Sequence, residues 1–371
     1  MFTLRTSIHQ YDTFAQFVNS FNLGGKDLVI TQSFTYNQFI EGLRLPCNFI
    51  IQDKYGAGEP SDEMIQRIMD DNASCEFDRV IAIGGGTVID ISKLFTLGIL
   101  ENVTAAFERT IPIVKQKQLV IIPTTCGTGS EVTNISIAEL KQKHTKLGLA
   151  DDAILADDAV LIPELLRSLP FKPYAFSSID ALVHATESFL SPKATPYSKL
   201  FSVEAIKIIV PIFKHIKEEG EDYRFKALEP ILRASNYAGI AFGNAGCAAV
   251  HALSYPLGAV YHVAHGESNY QFFTKILSLY AERKPNGSIE ELNQLFAELL
   301  GVENNPKTVY AEIDTLLSSM VKKRHLKEYG MQEEECDQFA DNVMVSQQRL
   351  LKNNYVELSR DEIAEVYKSL F

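Results

Sequence analysis

Strand-length apolar runs fill the first part of the chain, and helical stripes replace them afterwards. Residues 27–31, 48–52, 79–83 and 119–122 are short, apolar and rich in β-branched side chains. Between them, residues 12–21 and 61–71 carry apolar side chains at helical spacing. Ser61, directly after Gly58-Glu59-Pro60, is a residue type that caps helix N-termini. Continuous apolar strands separated by helices predict a parallel sheet covered on both faces. From about Pro173 the strand-like runs stop. Residues 176–190, 197–217 and 225–243 read as helices, the second with a broad apolar stripe from Leu200 to Ile216. Further helices follow to Phe371, broken at Pro285-Asn286-Gly287 and near Asn304-Asn305-Pro306. The pattern therefore predicts an α/β domain over residues 1–170 and an all-α domain over residues 171–371, joined near Leu169-Pro170.

Length and composition agree with two soluble domains: 371 residues, 46% apolar and 22% charged. The formal net charge of −12, with no basic stripe or tail, argues against nucleic acid and anionic membrane as partners. The densest basic run, Lys322-Lys323-Arg324-His325, reads as a solvated helix end. Cys47, Cys75, Cys126, Cys247 and Cys336 are scattered and odd in number. They fit reduced thiols in a cytoplasmic protein better than a disulfide frame or a zinc ribbon. No signal-peptide pattern and no membrane-length apolar run is present in the sequence.

Candidate chemistry falls in two places. In the first domain, Val80-Ile81-Ala82-Ile83 runs into Gly84-Gly85-Gly86-Thr87, and a helix follows through Asp90 and Lys93. A strand, three glycines and a helix N-terminus suit an anionic phosphate, because the backbone can approach closely and free N–H groups point at the ligand. The run is neither G-x-G-x-x-G nor a Walker A loop, and a ligand-free tight turn is the plain alternative. A second polar turn, Pro123 to Thr133 with Thr124, Thr125 and Thr128, follows the next apolar strand. In a doubly wound sheet the two turns would lie side by side at the carboxyl edge and could hold a dinucleotide. Lys146, on a β-like stretch, could counter a phosphate, though spacing alone favours a surface lysine. Gln32 closes the 27–31 strand where an acidic residue often meets ribose hydroxyls, so charge does not decide between NAD and NADP.

The second place is helical. Asp180 and His184 are four residues apart and share one helix face. His251, His262 and His265 follow in short order, so four of the eight histidines in the chain lie in these two segments. One carboxylate and two or three imidazoles suit a divalent metal of borderline softness. An isolated Asp-x-x-x-His pair arises by chance on helix surfaces, but the apolar neighbours Ala181, Leu182, Val183 and Ala185 predict burial, and buried polar groups need partners. His251 and His265 strengthen the ligand reading. His262 reads equally well as a core histidine.

Taken together, Gly84 to Lys93, Pro123 to Thr133, Asp180 to Glu187, and His251-Ala252-Leu253-Ser254-Tyr255-Pro256-Leu257-Gly258 with His265-Gly266 resemble the iron-containing (group III) alcohol dehydrogenases. The resemblance covers the whole chain. It implies a Rossmann-like N-terminal domain and a helical C-terminal domain of the dehydroquinate synthase-like type, with the site in the cleft between them. It further implies a homodimer acting on small molecules. The metal ligands it implies are Asp180, His184, His251 and His265, with Fe(II) first and Zn(II) second. It places coenzyme on Gln32, Gly85, Gly86, Thr87, Asp90, Thr124, Thr125, Thr128 and Lys146. Cys126-Gly127, Ser235 to Gly246 and Tyr261 to Tyr270 bring the chain nearer to members that move hydride between NAD(H) and the 4-hydroxybutyrate/succinate semialdehyde pair. Another short-chain primary alcohol or diol is the alternative substrate. Relatives often have a histidine, thought to relay the alcohol proton, where this chain has Tyr255. The catalytic candidates are therefore His262, favoured because imidazoles titrate near neutrality, and Tyr255. His262, Tyr255 and Asn244 are candidates for holding a distal carboxylate. A metal hydrolase or lyase, and a non-catalytic nucleotide-binding regulator, are the competing classes.

Overall fold

The computed structural model describes residues 1–143 and 145–371. The chain divides into two compact units, one of Leu4–Leu169 and one of Pro170–Phe371 together with Met1–Thr3. The first three residues join the second unit because Asn244 grips Thr3 twice. The Thr3 N–H donates to Asn244 Oδ1 at 2.7 Å, and Asn244 Nδ2 donates to the Thr3 carbonyl at 3.0 Å.

The Leu4–Leu169 unit contains β1 (Ser7–Gln10), β2 (Asp27–Thr31), β3 (Asn48–Ile51), β4 (Arg79–Gly84), β5 (Gln118–Pro123), β6 (Ile135–Leu140), β7 (Thr145–Ala150) and β8 (Asp158–Leu161). Its helices are α1 (Phe14–Phe21), the single turn α2 (Ser33–Thr35), α3 (Asp62–Asp71), α4 (Gly86–Phe95) and α5 (Val103–Phe107). Six strands form one parallel sheet in the order β1-β8-β5-β4-β2-β3, and β6 and β7 pair separately as an antiparallel ribbon. The alternation along β2, β4 and β5 divides two cores. Leu28, Ile30, Val80, Ala82, Leu119 and Ile121 face Ile65 and Ile68 of α3 and Val88 and Leu94 of α4. Val29, Ile81, Ile83, Val120 and Ile122 face Phe14 and Phe17 of α1 on the other side. Polar Asp27 at the start of β2 is held by Arg79, with Nε donating to Oδ1 at 2.7 Å and Nη2 to Oδ2 at 2.9 Å. Ser61 caps α3, accepting from the Met64 N–H.

Strands β1, β6 and β8 are not among the apolar runs read from the sequence. β1 is a polar edge strand with partly exposed side chains, and β8 has only four residues. β1 therefore lacks the unbroken apolar signature of a central strand, whereas β8 carries a short one, Ala159-Val160-Leu161, that the sequence reading passed over.

The second unit is helical: α6 (Phe171–Leu190), α7 (Pro196–Glu219), α8 (Leu228–Ala245), α9 (Ala249–Tyr261), α10 (His265–Arg283), α11 (Ser288–Leu300), α12 (Pro306–Met320), α13 (Glu335–Ser346), α14 (Gln348–Leu351) and α15 (Arg360–Leu370). Every residue of α6 from Ser178 to Leu190 is buried, and α7, α8 and α10 pack around it. A helix buried on all sides sits at the centre of its unit. Its polar residues, Asp180, His184 and Glu187, therefore need partners inside the protein. Among the described residues no helix is long and apolar enough to cross a membrane.

Candidate active site: a buried donor cluster and a glycine-rich turn

Three helices of the second unit bring four side chains to one point. Asp180 and His184 come from α6, His251 from the first turn of α9, and His265 from the start of α10. One donor atom from each lies within 4.8 Å of the other three. His184 Nδ1, His251 Nε2 and His265 Nε2 are each 3.8 Å from an Asp180 carboxylate oxygen, and His251 Nε2 is 3.0 Å from His184 Nε2. Asp180, His184 and His251 are buried, and His265 is half-buried. Burial works against the Asp180 charge, but His184, His265, His251 and the Asn269 amide outweigh it and hold the carboxyl below its usual range.

The backbone at this point is built for close approach. A Cβ at Gly266 would stand 2.3 Å from the Phe176 carbonyl oxygen of α6 and 3.3 Å from the Asp180 Cβ. Glycine here lets the first turn of α10 lie against α6, which brings His265 to Asp180.

Two residues that the sequence reading did not single out hold the cluster. Glu187, one turn beyond His184 on α6, accepts the Ala248 N–H at 2.9 Å, the Val250 N–H at 2.6 Å and His251 Nδ1–H at 2.6 Å. It thus caps the N-terminus of α9 with a carboxylate and directs the proton of His251 away from the cluster. With that proton on Nδ1, the Nε2 lone pair faces the other donors. Asn269, one turn after His265, donates Nδ2–H to Asp180 Oδ1 at 2.7 Å. Phe242 of α8 stacks on the His184 ring at 4.2 Å and closes that side with apolar surface. The i+3 and i+4 spacings from His184 to Glu187 and from His265 to Asn269 are the only local signals that could have pointed to the first two. Cys247 also approaches Glu187 and His251. Burial, with the Glu187 and Asp180 charges, pushes its thiol well up, so it stays protonated.

The donor set fits a divalent metal. A carboxylate and three imidazole nitrogens converge, and one imidazole is fixed by an outer carboxylate. Tyr255, one turn after His251, is half-buried, with its ring centroid 6.0 Å from that of His265. His262 is the left-handed C-cap of α9 (φ 53°), and its side chain is exposed. The Asn244 amide is spent on Thr3 and on the Ile240 carbonyl, so it does not present itself to a substrate carboxylate.

In the first unit, β4 and β5 end in register at Gly84 and Pro123, and the Thr124 N–H donates to the Gly84 carbonyl at 3.1 Å. The two turns therefore leave the sheet side by side. Helix α4 begins at Gly86 with Gly85 as its N-cap. A Cβ at Gly85 would lie 3.2 Å from Thr125 Cγ2, and one at Gly86 3.5 Å from Thr128 Cγ2. Gly129, in the left-handed region at φ 55°, ends the second turn. The Thr125 hydroxyl is buried and has no hydrogen-bond partner among the described residues. Bare backbone at a helix start, beside an unsatisfied hydroxyl, fits a phosphate-bearing coenzyme.

The remaining candidates are dispersed around these turns. Thr87 Oγ1 donates to the Gly58 carbonyl at 2.9 Å. Gln32 stands at the end of β2, beside β4, with Nε2 3.4 Å from Gln52 Oε1. Asp90, on the next turn of α4, accepts from Ser130 Oγ and from the Ile137 N–H, and burial raises its carboxyl to about 6. Lys146 on β7 is ion-paired with Glu59.

Comparison with known proteins gives the same picture from outside the geometry. The iron-containing alcohol dehydrogenase family model matches residues 6–163, and the model for the C-terminal part of the Fe-containing alcohol dehydrogenase family matches residues 174–371. The 4-hydroxybutyrate dehydrogenase of Clostridium kluyveri is 48% identical over 368 residues, covering 99% of each chain. Long-chain-alcohol dehydrogenase 1 of Geobacillus thermodenitrificans is 33% identical, covering 80% of this chain and 75% of its own. The crystal structure of sulfoacetaldehyde reductase from Bifidobacterium kashiwanohense in complex with NAD+ superposes with a TM-score of 0.85. It covers 100% of this chain and 98% of its own at 21% identity, which is a likeness of fold. With both halves of the chain matched, in order and nearly end to end, the protein belongs to the iron-containing alcohol dehydrogenase family.

Proposed function

We propose that the protein is an NAD-dependent 4-hydroxybutyrate dehydrogenase, exchanging hydride between the coenzyme and the 4-hydroxybutyrate/succinate semialdehyde pair. The observation that carries this reading is the similarity to the Clostridium kluyveri enzyme, which runs through the glycine turn and the donor cluster alike. Asp180, His184, His251 and His265 are the proposed metal ligands. Lewis acidity toward the substrate oxygen is the chemistry a divalent ion supplies there, with Fe(II) first in view of the family. Gly85, Gly86, Thr87, Asp90, Thr124, Thr125 and Thr128 are the proposed coenzyme contacts, with Gln32 and Lys146 at the periphery. Acceptance and return of hydride is the chemistry a nicotinamide supplies.

The protein's own groups prepare these ends. Glu187 fixes the His251 tautomer, Asn269 fixes one Asp180 oxygen, and Phe242 excludes water from the His184 face. Of the two proton-relay candidates, Tyr255 lies beside a ligand and is half-buried, whereas His262 is at an exposed helix end. Tyr255 Oη is therefore the group assigned to hold the alcohol proton, and the His262 imidazole is assigned to the distal carboxylate. On this assignment His262→Ala raises KM for 4-hydroxybutyrate about tenfold, the loss of one charge-assisted contact, and leaves KM for 1-butanol within twofold. Equal changes for the two substrates would remove His262 from that role.

The functional reading itself is tested by NADH formation from NAD with 4-hydroxybutyrate, 1-butanol and 1,4-butanediol in parallel. Preference for the hydroxy acid supports it. Preference for an uncharged alcohol would make the protein a dehydrogenase of short-chain alcohols or diols instead, and NADH binding without net turnover would favour a lyase or regulator.

A further inference from the structure

Helix α4 carries a lysine that the proposed chemistry does not use. Lys93 lies two turns beyond Gly86, and its side chain is fully buried. A buried ammonium is costly unless its protons are received, and here three groups receive them. Lys93 Nζ donates to Ser130 Oγ at 2.8 Å, to the Ile135 carbonyl at 2.7 Å and to Thr133 Oγ1 at 3.2 Å. Ser130 and Thr133 lie in the last part of the second polar turn, and Ile135 follows it. Ser130 continues the chain of contacts: its hydroxyl donates to Asp90 Oδ1 at 3.3 Å and its N–H to Thr128 Oγ1 at 3.4 Å. The Thr128 methyl in turn lies 3.5 Å from where a Gly86 Cβ would stand.

A helix that starts in the first glycine turn thus reaches back through one ammonium to hold the second. The segment so held has no regular structure of its own between β5 and the short turn at Ser130–Val132. The Thr124 N–H bond to the Gly84 carbonyl ties its start to β4, and the Lys93 contacts hold the residues that follow it.

We propose that Lys93 is a positioning residue of the coenzyme site, holding the Thr124–Gly129 turn against the start of α4 so that the coenzyme meets both turns already formed. This inference rests on the reading of those turns as the NAD site. Without the lock, binding must order the second turn, and the cost falls on coenzyme affinity. The metal-ligand cluster belongs to the other unit and keeps its ligands.

A second signature comes from charge. The charged groups facing Lys93 are Asp90 on its own helix and Glu131 on the segment it holds, and Glu59 acts on Asp90 in turn. Burial pulls the Lys93 ammonium down to about 8 against the opposing pull of Asp90 and Glu131. As pH rises through that value the site loses a positive charge, and an anionic coenzyme binds less well.

The test measures NADH binding by fluorescence in the wild-type protein and in Lys93→Met, which keeps the length and removes the ammonium. Lys93→Met is expected to weaken NADH binding roughly tenfold or more, to raise KM for NAD similarly, and to change kcat at saturating NAD by less than about threefold. Wild-type affinity should fall between pH 7 and 9, and that of Lys93→Met should stay flat. Should Lys93→Met not fold, Thr133→Val removes one receiving hydroxyl at nearly constant volume, with a smaller weakening in the same direction expected. NADH affinity in either folded variant within twofold of wild type, or an unchanged pH dependence in Lys93→Met, would overturn the proposal. A wild-type protein that binds no NADH would instead remove the coenzyme reading on which it stands.

Discussion

Glu187→Ala is expected to cost about 3–5 kcal/mol of stability and to weaken metal binding roughly 10–100-fold or more. The carboxylate serves three donors at once. Without it the Ala248 and Val250 N–H groups at the start of α9 are buried and unpaired, and His251 loses the partner that fixes its proton. Glu187→Gln separates the two effects. The Ala248 and Val250 N–H groups bond different Glu187 oxygens, and an amide keeps only one accepting oxygen, so stability should recover only in part. The amide cannot match the charge that orients His251, so the metal deficit should persist. Calorimetry and metal analysis of both variants check this. Full metal occupancy in Glu187→Ala would show that His251 needs no such support.

Gly266→Ala is the second large effect. The added methyl would meet the Phe176 carbonyl oxygen at 2.3 Å and its carbon at 2.9 Å, both backbone atoms that cannot rotate away. Relief requires α10 to move off α6, with a cost of about 3 kcal/mol, at the upper end for overpacking. The same movement carries His265 from Asp180, so metal should be lost along with stability. Gly258→Ala is the matched comparison: its new methyl would stand 3.4 Å from the Val263 carbonyl oxygen, a contact the chain can absorb with a small shift. A melting temperature for Gly266→Ala as high as that for Gly258→Ala would contradict the close crossing.

The sequence showed most plainly what repeats or clusters. Central strands β2, β4 and β5 are legible because burial on both faces forces continuous apolar runs. The four donors are legible because Asp180 and His184 keep helical spacing inside an apolar stretch, and because histidines are rare in this chain. Edge strand β1 was hidden, since a strand with one open side needs no apolar pattern. The roles of Glu187, Asn269 and Lys93 were hidden for a different reason. Each is defined by partners far along the chain: 61–64 residues away for Glu187, 89 for Asn269 and 37–42 for Lys93. The helical spacing of Glu187 and Asn269 from a ligand is visible in the chain, but no local spacing encodes the distant partner of any of the three. Asn244 shows the converse. It sits in a stretch that reads as part of the site, yet its amide is committed to tying down Thr3.

The proposed chemistry requires that the four converging side chains hold a metal. The most direct measurement is the metal content, by mass spectrometry, of protein purified without air, comparing wild type with His184→Ala. The prediction is about one divalent ion per wild-type chain, and little or none in a His184→Ala protein whose circular dichroism shows it folded. Equal metal content in the two proteins, or a metal-free wild type that still oxidises 4-hydroxybutyrate at full rate, would contradict it.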